Sequence, residues 1–211
     1  MTEEKDNRSY NCVYGAVCFA GRNHPGCGVV IGESQEHRFD KPEFHLIAEV
    51  EDHNTRELIQ ACSGLDLQYL PHLWFGDTDD AAGRRFIDGL NEELERKYQL
   101  PGVISRKLKY QRHRGTMQLT KSAVIEMAEP FQYILPVLKG LLSKEKRRLF
   151  IPPSSAVIGY LKVIETGDIA NIRISDFPAV SALGIAVIEL ENRPDLSDSP
   201  VDDEGWDEWR D

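Results

Sequence analysis

Apolar and polar positions change period several times along the chain, and each change marks an element. Cys12 to Ala20, Gly26 to Gly32 and Phe44 to Glu51 are short apolar runs separated by turn-forming segments, which predicts three strands in an antiparallel meander. Asn54-Thr55-Arg56-Glu57 has the form of a capping box and opens a helix through about Cys62. Leu70 to Gly76 then reads as a fourth strand and Ala81 to Tyr98 as a long amphipathic helix. Leu100 to Leu119 holds a basic strand or excursion, and Ser122 to Leu142 reads as helical despite Pro130 and Pro136. Leu149-Phe150-Ile151 is a short strand closed by Pro152-Pro153, followed by a helix from Ser155 to Glu165. The last helix, Ala179 to Leu190, is apolar nearly all round, with Ser181, Ala182, Gly184 and Ala186 allowing close approach, so it belongs in the interior. This order is that of an α/β protein with a mixed sheet.

The chemistry concentrates where the fourth strand ends. His72 to Phe75 runs through Gly76 into Asp77-Thr78-Asp79-Asp80, and a helix opens directly afterwards. Carboxylates at a strand end sit on the rim of a sheet, where α/β proteins bind ligands and where hard cations find oxygen donors. One cluster does not hold a catalytic metal. A second carboxylate about a hundred residues later, Asp176, precedes the apolar final helix, and the fold must bring the two together on one rim. Helix capping accounts for either site equally well, since Asp is a preferred N-cap and complements the helix dipole, and Pro178 suits a first turn.

Composition sets bounds. With 211 residues, 41% of them hydrophobic, the chain can bury one substantial core. It has no run of eighteen apolar residues to span a membrane, and its polar start, Met1 to Asp6, lacks the apolar stretch of a signal peptide, so a cytoplasmic protein with no membrane partner is expected. Cys12, Cys18, Cys27 and Cys62 form no Cys-x-x-Cys pair and read as reduced core thiols; a zinc site from Cys12, Cys18, His24 and Cys27 is the alternative, at spacings unlike those of ribbons or fingers.

Charge is unevenly spread. The net charge is −10, yet Glu189 to Asp211 carries ten acidic residues against Arg193 and Arg210, leaving −2 for the rest. Residues 194–211 have little to bury and are expected to be a disordered acidic tail, although Trp206 and Trp209 equip it to dock on a basic groove or a partner. From Arg96 to Ile125 there is no acid at all, and Arg106, Lys107, Lys109, Arg112 and Arg114 form a strip beside Tyr110 and His113. Such a strip can neutralise a nucleic-acid backbone, or it can be a solvated edge strand guarded by its charges. Lys144-Glu145-Lys146-Arg147-Arg148 is a smaller second patch.

Three strands, a helix, a strand ending in carboxylate, and a final helix preceded by Asp together resemble the ribonuclease H-like fold, a mixed central sheet flanked by helices. More narrowly, the chain is similar to the nuclease domain of tailed-phage large terminases. There a strand-end Asp and a late Asp before a small-residue helix are metal ligands, matched here by Asp77 and Asp176. The segment Arg148 to Pro153, the helix after it and then Asp176 are similar to the end of that domain. The resemblance covers roughly residues 12–192 and rests on order and placement.

It implies a polar arm at 1–11, a nuclease-type domain at 12–193 and the tail at 194–211. The implied activity is DNA phosphodiester hydrolysis with Mg or Mn held by Asp77, Asp176 and an auxiliary Asp79, on double-stranded DNA guided by the basic strip. The chain has no Gly-x4-Gly-Lys-Ser/Thr motif, so a separate motor ATPase or other phage proteins are the implied partners. One departure stands out: the family's first-strand Asp has no counterpart in Gly15 to Ala20, where Cys18 or a neighbour takes its place, and Glu49, Glu51, Asp52 or Asp79 would have to substitute spatially. A thiol is a poor ligand for hard cations. The resemblance therefore implies either such a nuclease or a degenerate descendant of one, and the alternative is a non-catalytic phage or prophage interaction module on the same fold. An unrelated α/β enzyme is disfavoured because Ser154 and Ser155 read as helix-start residues and the six histidines are scattered.

Overall fold

Five strands and five helices are defined in the computed structural model, which describes residues 10–18, 25–38, 41–76, 81–97, 130–166 and 176–191. They are β1 (Tyr10–Cys18), β2 (Gly26–Arg38), β3 (Lys41–Asp52), α1 (Thr55–Tyr69), β4 (Leu73–Gly76), α2 (Ala81–Lys97), α3 (Pro130–Leu142), β5 (Leu149–Phe150), α4 (Ala156–Thr166) and α5 (Pro178–Glu191). They form one sheet in the order β4-β1-β2-β3-β5. The meander is antiparallel as expected, β4 runs parallel to β1, and β5 runs parallel to β3 at the other edge. Three antiparallel strands whose first member is joined by a parallel fourth, delivered through a helix, make the core of a ribonuclease H-like fold.

Both faces of the sheet are covered, which is why β1 and β2 read as nearly continuous apolar runs rather than as alternating ones. Tyr14, Ala16, Cys18, Cys27, Val29 and Ile31 pack with α3, α4 and α5. Val17, Val30 and Trp74 pack on the other side with Leu58, Cys62, Phe86, Leu90 and Leu94 of α1 and α2. Gly15 is required here, because a Cβ at that position would lie 2.3 Å from the Trp74 ring. The indole rests on bare backbone and donates from Nε1 to the fully buried Asp66 Oδ1 at 3.0 Å.

The helix ends follow local chemistry. Asn54 caps α1 by accepting from Arg56 N at 2.9 Å, as the sequence suggested, but its own N–H goes to Asp52 Oδ1 at 2.7 Å instead of to Glu57. The last strand residue thus supplies the arm that a capping box takes from N3. α1 continues seven residues beyond the expected Cys62 and stops at Leu70, which adopts a left-handed φ of 51° and donates its N–H to Asp66 O. Ser122–Leu142 was expected to be one helix; α3 starts at Pro130, where a proline fits a first turn, Pro136 within it is exposed, and residues 122–129 lie outside the described residues.

α5 is the buried helix expected, with twelve of its fourteen residues buried. Gly184 is where α3 crosses it, since a Cβ there would come within 2.3 Å of Ile134 Cγ2. Its far end is tied down by Arg148, a buried side chain that donates to Glu191 Oε1 at 2.7 Å, Glu191 Oε2 at 2.5 Å and Pro42 O at 3.3 Å. The Arg148 backbone meanwhile bonds Leu141 O and Phe44 N, so one residue joins α3, β3 and α5. Among the described residues no helix is long and apolar enough to cross a membrane.

Two stability outcomes follow from these contacts. Leu70→Gly relieves left-handed backbone at a side chain that is 54% exposed, and should raise unfolding free energy by about 0.5–1 kcal/mol in urea denaturation. Arg148→Met leaves Glu191 and Pro42 O without their guanidinium and should cost about 2–4 kcal/mol in the same measurement.

Candidate active-site rim

Strand register gathers one row of residues at one rim of the sheet. Cys18 lies opposite Cys27, Cys27 lies opposite Glu51, and Gly76 pairs with Val17. The C-terminal ends of β1, β3 and β4 therefore open on the same side. α5 starts there too: the Phe177 ring meets Tyr160 edge-on at 5.8 Å, and the Tyr160 hydroxyl donates to Glu51 Oε2 at 3.2 Å. Asp176, half-buried, directly precedes Phe177. The first helical bond of α5 runs from Ser181 N to Phe177 O at 2.9 Å, so Phe177 is the N-cap and Asp176 stands one residue outside the capping position considered for it. Asp77 and Asp79 lie outside the described residues, as do Arg106, Lys107, Lys109, Arg112 and Arg114; Gly76, the residue before Asp77, is on this rim.

β1 ends at the rim in a thiol, in an apolar setting. Cys18 is buried and Cys27 fully so, both within the cluster under α5. Burial pushes the Cys27 thiol far above its ordinary range, and the nearby Glu51 and Cys18 push it further. It stays protonated and donates to Gly28 O. Cys62, on the other face, is pushed up to about 12 by burial alone. All four cysteines are free. The zinc alternative does not fit: Cys12 and Cys18 are six positions apart on one strand, roughly 20 Å, and Cys27 pairs with Cys18.

The two glutamates of β3 have different tasks. Glu49 accepts from Ser155 Oγ at 2.7 Å and from Ala156 N at 2.6 Å, while Ser155 Oγ accepts from Val157 N at 3.1 Å. Ser155 is thus the helix-start residue that its sequence position suggested, and a strand carboxylate more than a hundred residues away completes the cap of α4. Glu51 instead reaches the rim. Loss of solvation raises its pKa, the Tyr160 hydroxyl pulls it back, Glu49 raises it further and His53 lowers it, for a net rise. Tyr160 is itself raised, by burial first and then by Glu51. Among the described residues no three His, Cys, Asp or Glu side chains converge on a metal position. Tyr160 had no signal in the sequence, being an ordinary residue of an amphipathic helix.

The strand order and the covered faces are those of an α/β, ribonuclease H-like fold. No family model matches the chain, and no curated protein is significantly similar to it. Among solved structures it is similar to the yeast mitochondrial Holliday junction resolvase, at 9% identity and a TM-score of 0.43, over 87% of this chain and 85% of that one. It is also similar to the fowlpox virus Holliday junction resolvase, at 10% identity and a TM-score of 0.34, over 85% and 97%.

A carboxyl whose folded pKa is raised favours the folded state when protonated. The Glu51 contribution is therefore full below its ordinary value of 4.5 and is lost as pH climbs through the raised one. Glu51→Gln keeps an acceptor for Tyr160 without the charge. It should raise the thermal midpoint at pH 7 by about 1–2 °C, with the gain gone below about pH 4 in a pH series of melts.

Proposed function

We propose that this chain is a nuclease-type domain acting on DNA phosphodiesters at the rim, with a terminase-nuclease-like arrangement of its acids. The carrying observation is that Asp176 and the end of β4 immediately before Asp77 share one rim of the sheet. Asp77 and Asp176 are the residues that would hold Mg or Mn, with Asp79 auxiliary and Glu51 a β3 carboxylate on the same rim. Their hard oxygen donors suit such a cation, whereas the thiols of Cys18 and Cys27 do not. When bound, the metal would supply activation of water and stabilisation of the leaving oxygen. Arg106, Lys107, Lys109, Arg112 and Arg114 would bind the phosphates of double-stranded DNA, and a motor would come from a separate ATPase, from other phage proteins or from a part of a longer parent chain.

A specific observation favours a second reading. With Cys18 and Cys27 buried, Cys27 as a protonated thiol, and Glu49 committed to the α4 cap, the rim is short of donors on its first three strands. A domain in that condition would bind DNA or a partner protein without cutting.

Nicking of supercoiled plasmid in Mn²⁺ separates the two. Cleavage by the native chain that falls at least about a hundredfold in Asp77→Asn and in Asp176→Asn supports the nuclease. Cys18→Asp, checked for folding by its melting curve, should raise cleavage if β1 carries the missing donor position. No cleavage by either the native chain or a folded Cys18→Asp variant leaves the binding module.

A further inference from the structure

The rim opposite the candidate site carries a cationic surface. β3 begins there at Lys41, α3 ends at Leu142, and β5 begins at Leu149. Lys41, Lys139, Lys144, Lys146 and Arg147 are all exposed around this junction, with Glu145 the one acid in the connecting segment. The acids beside it on neighbouring elements are Glu43 on β3, which is buried, and Glu191 at the end of α5. Glu191 is engaged by Arg148 at 2.5 Å and by Lys41 at 3.8 Å. An aromatic surface lies within the patch: the Arg147 guanidinium sits 4.9 Å from the Phe150 ring centre, and His45 stacks on that ring at 4.7 Å.

α5 delivers the rest of the chain to this place, because its last residue is the Glu191 held by Arg148. Three residues later begins the segment 194–211, with eight acidic residues against Arg210, and with Trp206 and Trp209. We propose that this acidic segment docks in cis on the basic patch formed by Lys41, Lys139, Lys144, Lys146 and Arg147. Individual exposed ion pairs are weak. Tethering beside the patch gives the segment a high effective concentration, so many weak contacts suffice. The indoles add stacking on the exposed Arg147 guanidinium, which Phe150 backs from beneath.

Carbodiimide cross-linking of the full chain at low ionic strength, followed by mass spectrometry, tests this directly. Carboxylates of 194–211 should join Lys41, Lys139, Lys144 and Lys146 within one chain, and these links should fall about fivefold or more in about 0.5 M salt, where exposed charges are screened. Lys144→Ser/Lys146→Ser changes only exposed side chains and leaves the Arg147–Phe150 contact in place, so its melting curve should match the native one. In it the remaining links should also fall, and acrylamide should quench tryptophan emission at low salt as strongly as it does the native chain at high salt. Links spread over lysines elsewhere, links only between isotopically distinct copies, or native quenching indifferent to salt would each overturn the proposal. So would protection of the patch lysines by added duplex DNA while the tail cross-links elsewhere, which would assign the patch to nucleic acid.

Discussion

Most of this domain depends on one helix lying flat on one sheet. α5 is apolar on nearly every side because it is enclosed by β1 and β2 beneath and by α3 above. That enclosure needs a small residue where α3 crosses, and Gly184 provides it against Ile134. Close-packed interiors transmit position rigidly, so seating this helix also places its two ends. One end brings Asp176 and Phe177 to the rim with Tyr160 and Glu51; the other brings Glu191 to Arg148. The site and the clamp are consequences of the same packing.

The two rims resolve their buried polar groups in different ways. At the Arg148 end, a bidentate charge pair with an added carbonyl acceptor satisfies a guanidinium that would be costly to bury alone. At the other end, β3 presents two carboxylates with the same strand spacing but unlike environments. Glu49 takes two short hydrogen bonds from the start of α4 and acts structurally, while Glu51 holds a single long bond from Tyr160 and a raised pKa. Partial desolvation beside unpaired capacity is how carboxylates are prepared for ligand or proton chemistry, and it singles out Glu51 over Glu49 on the same strand.

The thiol pair tells the same story from the opposite side. Cys18 and Cys27 face each other across β1 and β2 at the candidate rim, and the apolar contacts under α5 keep Cys27 protonated. This arrangement stabilises the core at the expense of donors at the rim.

Local periodicity and punctuation were enough to read the elements. The antiparallel meander, the Asn54 cap, the strand before Asp77, the short β5 and the buried final helix are all written in neighbouring residues, because strand alternation, capping and proline placement are short-range effects. The ends were less legible where a distant group decided them: α1 ran on to Leu70 because tertiary packing outweighed the turn signals after Cys62. What sequence could not supply was which distant residues meet. Glu49 capping α4, Tyr160 bonding Glu51, Arg148 clamping Glu191 and Trp74 lying on Gly15 each join positions far apart in the chain, and no local pattern encodes such a pairing. Residue types and spacing determined that carboxylates would sit at strand and helix ends. Only sheet register and the seating of α5 decided which of them share a rim, since that depends on how the faces pack rather than on how the chain is ordered.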